Sequence, residues 1–176
     1  TLNCLNDLKF LKHYINPKPK ILILVRDVLE VLASFISWAD KNYDAFPNRY
    51  GTMDTEKRCD LLMNKDGLIV KELIAIKHLI DHHPGTYKLV DYNNLVKTPE
   101  KIIKEIYKFY DIKPFKHNFK SFKQFKVNGM GYDDRALGVN LHTIKTKGMV
   151  KTKRDIKKIL PKSIIEKYGN LNVWTN

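Results

Sequence analysis

The stretch KILILVRDVLEVLASFISW, residues 20–38, limits what this chain can become more than any other. Its apolar core, Ile21–Val25, is too short for a helix and reads as a strand over 20–25. The strand lacks polar alternation, so it is expected to be covered on both faces, as in a parallel sheet. It ends at Arg26, Asp27 follows as a plausible N-cap, and a helical pattern over 28–40 starts at once. A second short strand, TYKLVD at 86–91, follows a long helical pattern over 55–81 that is broken near Asp66-Gly67. Strands alternating with long helices predict an α/β fold with a parallel sheet.

The remaining segments fit one domain spanning 1–176. Residues 4–15 are helix-patterned and end at NPKP. Residues 41–54 are loop-like, and His82–Gly85 is a turn. Thr98 is placed to cap a helix that has Pro99 at its first position and runs to about Tyr110. Residues 111–150 look irregular, and 153–168 read as one or two helices interrupted by Pro161. An apolar fraction of 43% and a charged fraction of 29% are those of a globular protein. No run of 18 apolar residues exists to span a membrane. Two cysteines are too few for a disulfide framework or a zinc site, and point to a reducing compartment such as the cytoplasm.

Charge is unevenly placed. Residues 1–96 carry a net +1 and residues 97–176 a net +12. Either the second half meets an anionic partner or it presents a solvated lysine face. The junction after the first strand is a place for an anion. Helix-initial N–H groups are unpaired, the helix dipole favours negative charge, and Arg26 adds a planar cationic fork. Asp27 and Ser34 are two helical turns apart and share a face. The plainer alternative is a surface ion pair at Arg26 and a packing role for Ser34.

KILILVRDVLEVLASFISW resembles the 3′-phosphate-binding segment of sulfotransferases that use 3′-phosphoadenosine 5′-phosphosulfate (PAPS). In that family an Arg ends a strand and a Ser follows eight residues later, and both hold the 3′-phosphate. Arg26 and Ser34 fall on those positions, with Asp27-Val28 where Asn-Pro or Asp-Pro is usual. YKLVDYNNLVKTPEKIIKEIYKFYDI, residues 87–112, is similar to the family's strand ending in Tyr-Glu-Asp-Leu and the helix after it. Tyr92 matches the tyrosine that helps position the adenine, and Asn93-Asn94 replace the acidic pair. TIKTKGMVKTK, residues 143–153, resembles the late basic loop over the 3′-phosphate, with Lys147 and Gly148 at the matching pair. LHTI at 141–144 and Leu160-Pro161 are similar to bacterial and phage-type members.

The resemblance implies a P-loop-like parallel sheet flanked by helices. It implies PAPS as donor, adenosine 3′,5′-bisphosphate (PAP) as product, a hydroxyl or amine acceptor, and no metal. Nothing in the chain matches the family's upstream 5′-phosphosulfate loop, so the domain is expected to lack its N-terminal strand and that loop. The catalytic base stays open among His13, Asp7 and Glu30. His78 and His82 are spaced i, i+4 with no third ligand in view, and read as surface residues; His142 lies within LHTI. Two other functions compete. One is a non-catalytic module that binds PAP or an anionic glycan. The other is a single-stranded nucleic-acid surface made by the aromatics and lysines of 107–132; it gives no reason for Arg26, Ser34 and Tyr92 together.

Overall fold

The computed structural model describes residues 4–41, 53–123, 126–131, 146–150, 152 and 154–175. Residues 42–52 of the expected loop at 41–54, the LHTI segment with His142, and Phe125 and Tyr132 lie outside them.

Helix α1 (Cys4–Phe10) passes into a π-helical turn (Leu11–Ile15). Then come β1 (Ile21–Val25), α2 (Val28–Lys41), α3 (Thr55–Met63), α4 (Leu68–His82) and β2 (Tyr87–Asp91). The break expected at Asp66-Gly67 separates α3 from α4. Strands β1 and β2 pair in parallel, with Ile21 opposite Tyr87 and Val25 opposite Asp91. Parallel neighbours need a crossover, and α2, α3 and α4 supply it.

After β2 the chain turns into α5 (Tyr92–Lys97) and α6 (Pro99–Tyr110). Thr98 precedes Pro99 as expected, but its hydroxyl donates to the Asn94 carbonyl and does not cap α6. Within 111–150 a small hairpin forms, β3 (Lys126–Val127) with β4 (Met130–Gly131). Helices α7 (Ile156–Ile159) and α8 (Lys162–Tyr168) flank Pro161.

Two apolar clusters hold these elements. The larger joins α2, α3, α4, α7 and α8 around Leu32, Ile36, Cys59 and Ile164, all but excluded from solvent. The smaller gathers Leu8, Ile23, Val25 and Leu79 on one face of β1, and Trp174 packs against both. The other face of β1 departs from expectation: Leu22 and Leu24 remain 39% and 55% exposed. An unbroken apolar run signals burial of both faces, whereas the described residues from α1 and α4 pack against the Ile23 face.

The C-terminal end of α4 collects three imidazoles. The rings of His82 and His83 lie 4.6 and 5.4 Å from that of His78, and Lys12 Nζ is 3.4 Å from His83 Nδ1. His83 is the third neighbour that the i, i+4 spacing did not reveal. Among the described residues no group of three or more His, Cys, Asp or Glu is arranged to hold a metal ion.

Burial, then the charge of Lys12 and the neighbouring imidazoles, hold the His83 pKa below its ordinary 6.5. Asp60 accepts hydrogen bonds from the Tyr168 hydroxyl (2.5 Å) and Lys167 Nζ (2.9 Å), which keep its carboxyl below the usual range. Both groups bind protons more readily when unfolded, so stability rises with pH across each titration. Urea unfolding should show a first loss as pH falls through 6.5, removed by His83→Gln, and a second below about 4 from Asp60. A midpoint unchanged from pH 8 to 5.5 would contradict the histidine assignment.

Candidate functional site

The parallel register builds the centre of the site. One step past the last pair, Val25 with Asp91, the two chains reach Arg26 and Tyr92. The Arg26 guanidinium carbon stands 4.4 Å from the centroid of the Tyr92 ring, a cation–π contact. Both residues therefore sit at the carboxyl ends of parallel strands, where open α/β sheets hold ligands.

Arg26 Nε donates to Glu30 Oε2 at 2.7 Å, and Asn93 Nδ2 donates to the same oxygen at 3.2 Å. The two terminal nitrogens of Arg26 make no hydrogen bond among the described residues. A carboxylate only accepts, so Glu30 fixes which way the Asn93 amide points. Asn93 Oδ1 is then left buried without a partner among the described residues. Glu30 lies on the face of α2 that also carries Ser34, one turn further on and half-buried. A carboxylate thus stands beside the arginine, one turn short of the serine.

The start of α2 is closed by the chain itself. Asp27 Oδ1 accepts the N–H groups of Leu29 (2.9 Å) and Glu30 (3.2 Å), as its N-cap role predicts. Asn172 Oδ1 accepts the N–H of Val28 at 3.0 Å, and Asn172 Nδ2 donates to Asp27 Oδ2 at 2.8 Å. The expectation that unpaired helix-initial N–H groups would receive an anion is therefore corrected. A side chain 144 positions away takes the first of them, and Asp27 takes the next two.

The Lys147-Gly148 loop docks on the segment before β3. The Met149 N–H donates to the Phe119 carbonyl, and the Phe122 N–H to the Thr146 carbonyl, each at 3.1 Å. Gly148 is buried with φ at +84°, and a Cβ there would stand 2.5 Å from the Phe119 carbonyl oxygen. Gly148→Ala should undock residues 146–150, at a cost of about 2 kcal/mol or more from clash and left-handed strain. Hydrogen exchange at the Met149 and Phe122 amides checks this; unchanged protection would contradict the docking. Lys147 is exposed and makes no ion pair among the described residues. Met149 and Val150 share a hollow of about 410 Å³ with Asn93 and Asn94, which brings the loop to the edge of α5.

A larger cleft of about 580 Å³ opens beside Arg26 and Tyr92. Its walls are mainly apolar, from Leu24, Val31, Phe35, Leu73 and Trp174, with Glu72 of α4 as the carboxylate on its lining. Sequence reasoning missed Glu72, Trp174 and Asn172, because nothing in local spacing links them to β1. His13 is exposed on the π-helical turn and does not line this cleft; neither does Asp7. Asp7 Oδ2 is buried without a partner among the described residues. Glu30 is held by Arg26 and Asn93.

The family profile described as "Sulfotransferase domain" matches residues 5–171. No individual curated protein and no solved structure gave a significant match. The match takes in β1, α2, β2 and the loop at 146–150, the segments that bring Arg26, Tyr92 and Gly148 into the order just described. With nearly the whole chain under one profile, this protein belongs to the sulfotransferase family.

Proposed function

We propose that the chain is a single sulfotransferase domain, built on a P-loop-like parallel sheet, that uses PAPS and receives its 3′-phosphate at Arg26. The observation that carries this reading is the arginine itself. Its terminal nitrogens make no hydrogen bond among the described residues, while Nε and the ring of Tyr92 hold the group in place. A fork held in this way suits a phosphate, which it meets with paired charged hydrogen bonds.

The other polar groups fit the same ligand. Ser34 offers a hydroxyl from α2, and Lys147 an exposed cation beside the tight turn at Gly148. Tyr92 offers its ring, and Asn93 Oδ1 is a buried acceptor without a donor among the described residues, suited to a ribose hydroxyl or an amino group. Glu30 keeps Arg26 ordered before the ligand arrives and gives way to it. With the start of α2 capped by Asp27 and Asn172, the phosphate is met by side chains.

When bound, PAPS supplies the sulfuryl group and leaves as PAP. Transfer asks for in-line placement of an acceptor hydroxyl or amine and for cations near the spreading charge. The residues described here hold the far end of the donor and so orient it. A base that takes the acceptor's proton completes the reaction. Calorimetric titration of the chain with PAP, beside AMP as a control, tests the proposal. PAP should bind with one site and AMP should not. Equal affinities for the two would remove the 3′-phosphate from the site.

A further inference from the structure

The charge of the second half has a focus separate from Arg26. A cavity of about 730 Å³ lies between the start of α6 and the segment 116–120. Lys97, Lys101, Lys116 and Lys120 line it, against Glu100 alone among carboxylates. None of the four lysines joins an ion pair among the described residues, whereas elsewhere Lys88 holds Glu105 and Lys167 holds Asp60. Four ammonium groups around one concavity repel each other and focus a positive potential into it. The lining shares no residue with the Arg26 cleft.

The rings at this cavity decide between two kinds of anion. The His117 ring stacks near Tyr107 at 5.7 Å and near Phe119 at 5.6 Å, and Phe115 meets it edge-on at 5.1 Å. The Tyr107 hydroxyl and His117 Nε2 are hydrogen-bonded at 2.5 Å. These rings cluster on one another, with Phe115 and His117 still open to solvent, and do not stand as a row of separate platforms for successive bases. Recognition here rests on charge, and lysines on flexible stems suit oxyanions in varied arrangements.

We propose that this cavity is a second anion-binding site, for a ligand that carries two or more phosphate or sulfate groups. It is separate from the Arg26 cleft, although the 146–150 loop docks beside it on Phe119, and it stands whether or not PAP binds at Arg26.

The test follows backbone amide resonances of the whole chain. Inorganic tripolyphosphate and sucrose octasulfate are titrated separately, which tells a phosphate preference from a sulfate one. Saturable shifts are expected in 97–101 and 116–120. The double variant Lys101→Gln/Lys116→Gln should weaken binding about tenfold. That variant should leave the melting temperature and the affinity for PAP unchanged, since both lysines are exposed and lie outside the Arg26 cleft. Shifts that scatter over lysines across the surface without saturating would overturn the site, as would binding indifferent to the double substitution. Tighter binding of a 12-nucleotide single-stranded DNA than of either probe, again with shifts at 97–101 and 116–120, would make this a nucleic-acid surface and overturn the proposed ligand class.

Discussion

Arg26→Ala should weaken PAP binding by roughly 3 kcal/mol, about 100-fold, while leaving the chain folded. The size follows from what the side chain has to offer. Two terminal nitrogens are unbonded among the described residues, and each charged hydrogen bond is worth about 1.5–3 kcal/mol. The substitution also removes the ion pair with Glu30 and takes one positive charge from the place a phosphate must approach. Glu30→Gln makes the complementary case. It keeps a hydrogen-bonding side chain beside Arg26 and removes the competing charge, so PAP should bind more tightly than to the parent chain. Calorimetry on the three proteins gives the ranking Glu30→Gln, parent, Arg26→Ala. An Arg26→Ala chain that bound PAP like the parent would take Arg26 out of the site altogether.

The largest effect on stability is expected at Leu32. This side chain is fully buried in α2, within the cluster shared by α2, α3, α4, α7 and α8. Leu32→Ala removes three carbons and leaves a hole that close-packed neighbours fill only in part, a loss of about 3 kcal/mol. Against a typical total of about 5–15 kcal/mol that is a large fraction. Urea unfolding at pH 7.5 should show a lower midpoint with the slope unchanged. A shift equivalent to less than about 1 kcal/mol would mean that α2 packs differently from the arrangement described.

The centre of the site was legible because its geometry is local and periodic. The apolar run at 21–25 and the strand at 87–91 were both readable, and the parallel register between them carries Arg26 to Tyr92 without further assumption. Asp27 announced itself as a cap, and Asp66-Gly67 as a break between helices. What escaped depends on contacts far apart in sequence. No pattern in 20–38 indicates that Asn172 closes the start of α2, or that Asn93 shares an oxygen of Glu30 with Arg26. The exposure of Leu22 and Leu24 was hidden for a related reason: a sequence shows that a face is apolar, not what covers it.

The β3–β4 hairpin was a missed signal of another kind. Asn128-Gly129 sits at its turn with φ of +52° and +80°, the pair favoured for a two-residue connection. The dipeptide lies within the irregular-looking stretch 111–150, and strands of only two residues give it no apolar alternation to announce it.

Trp174 touches both apolar clusters and also forms part of the wall beside Arg26. It is one of only two tryptophans in the chain, the other being Trp38 on α2. The molecule therefore carries its own optical reporter. A ligand entering the cleft changes the polarity around this indole, and an aromatic base close to it quenches its emission. The same ring loses both sets of neighbours when the two clusters part. Steady-state fluorescence can thus follow occupancy and unfolding on one unlabelled sample, with a Trp38→Phe chain isolating the signal of Trp174.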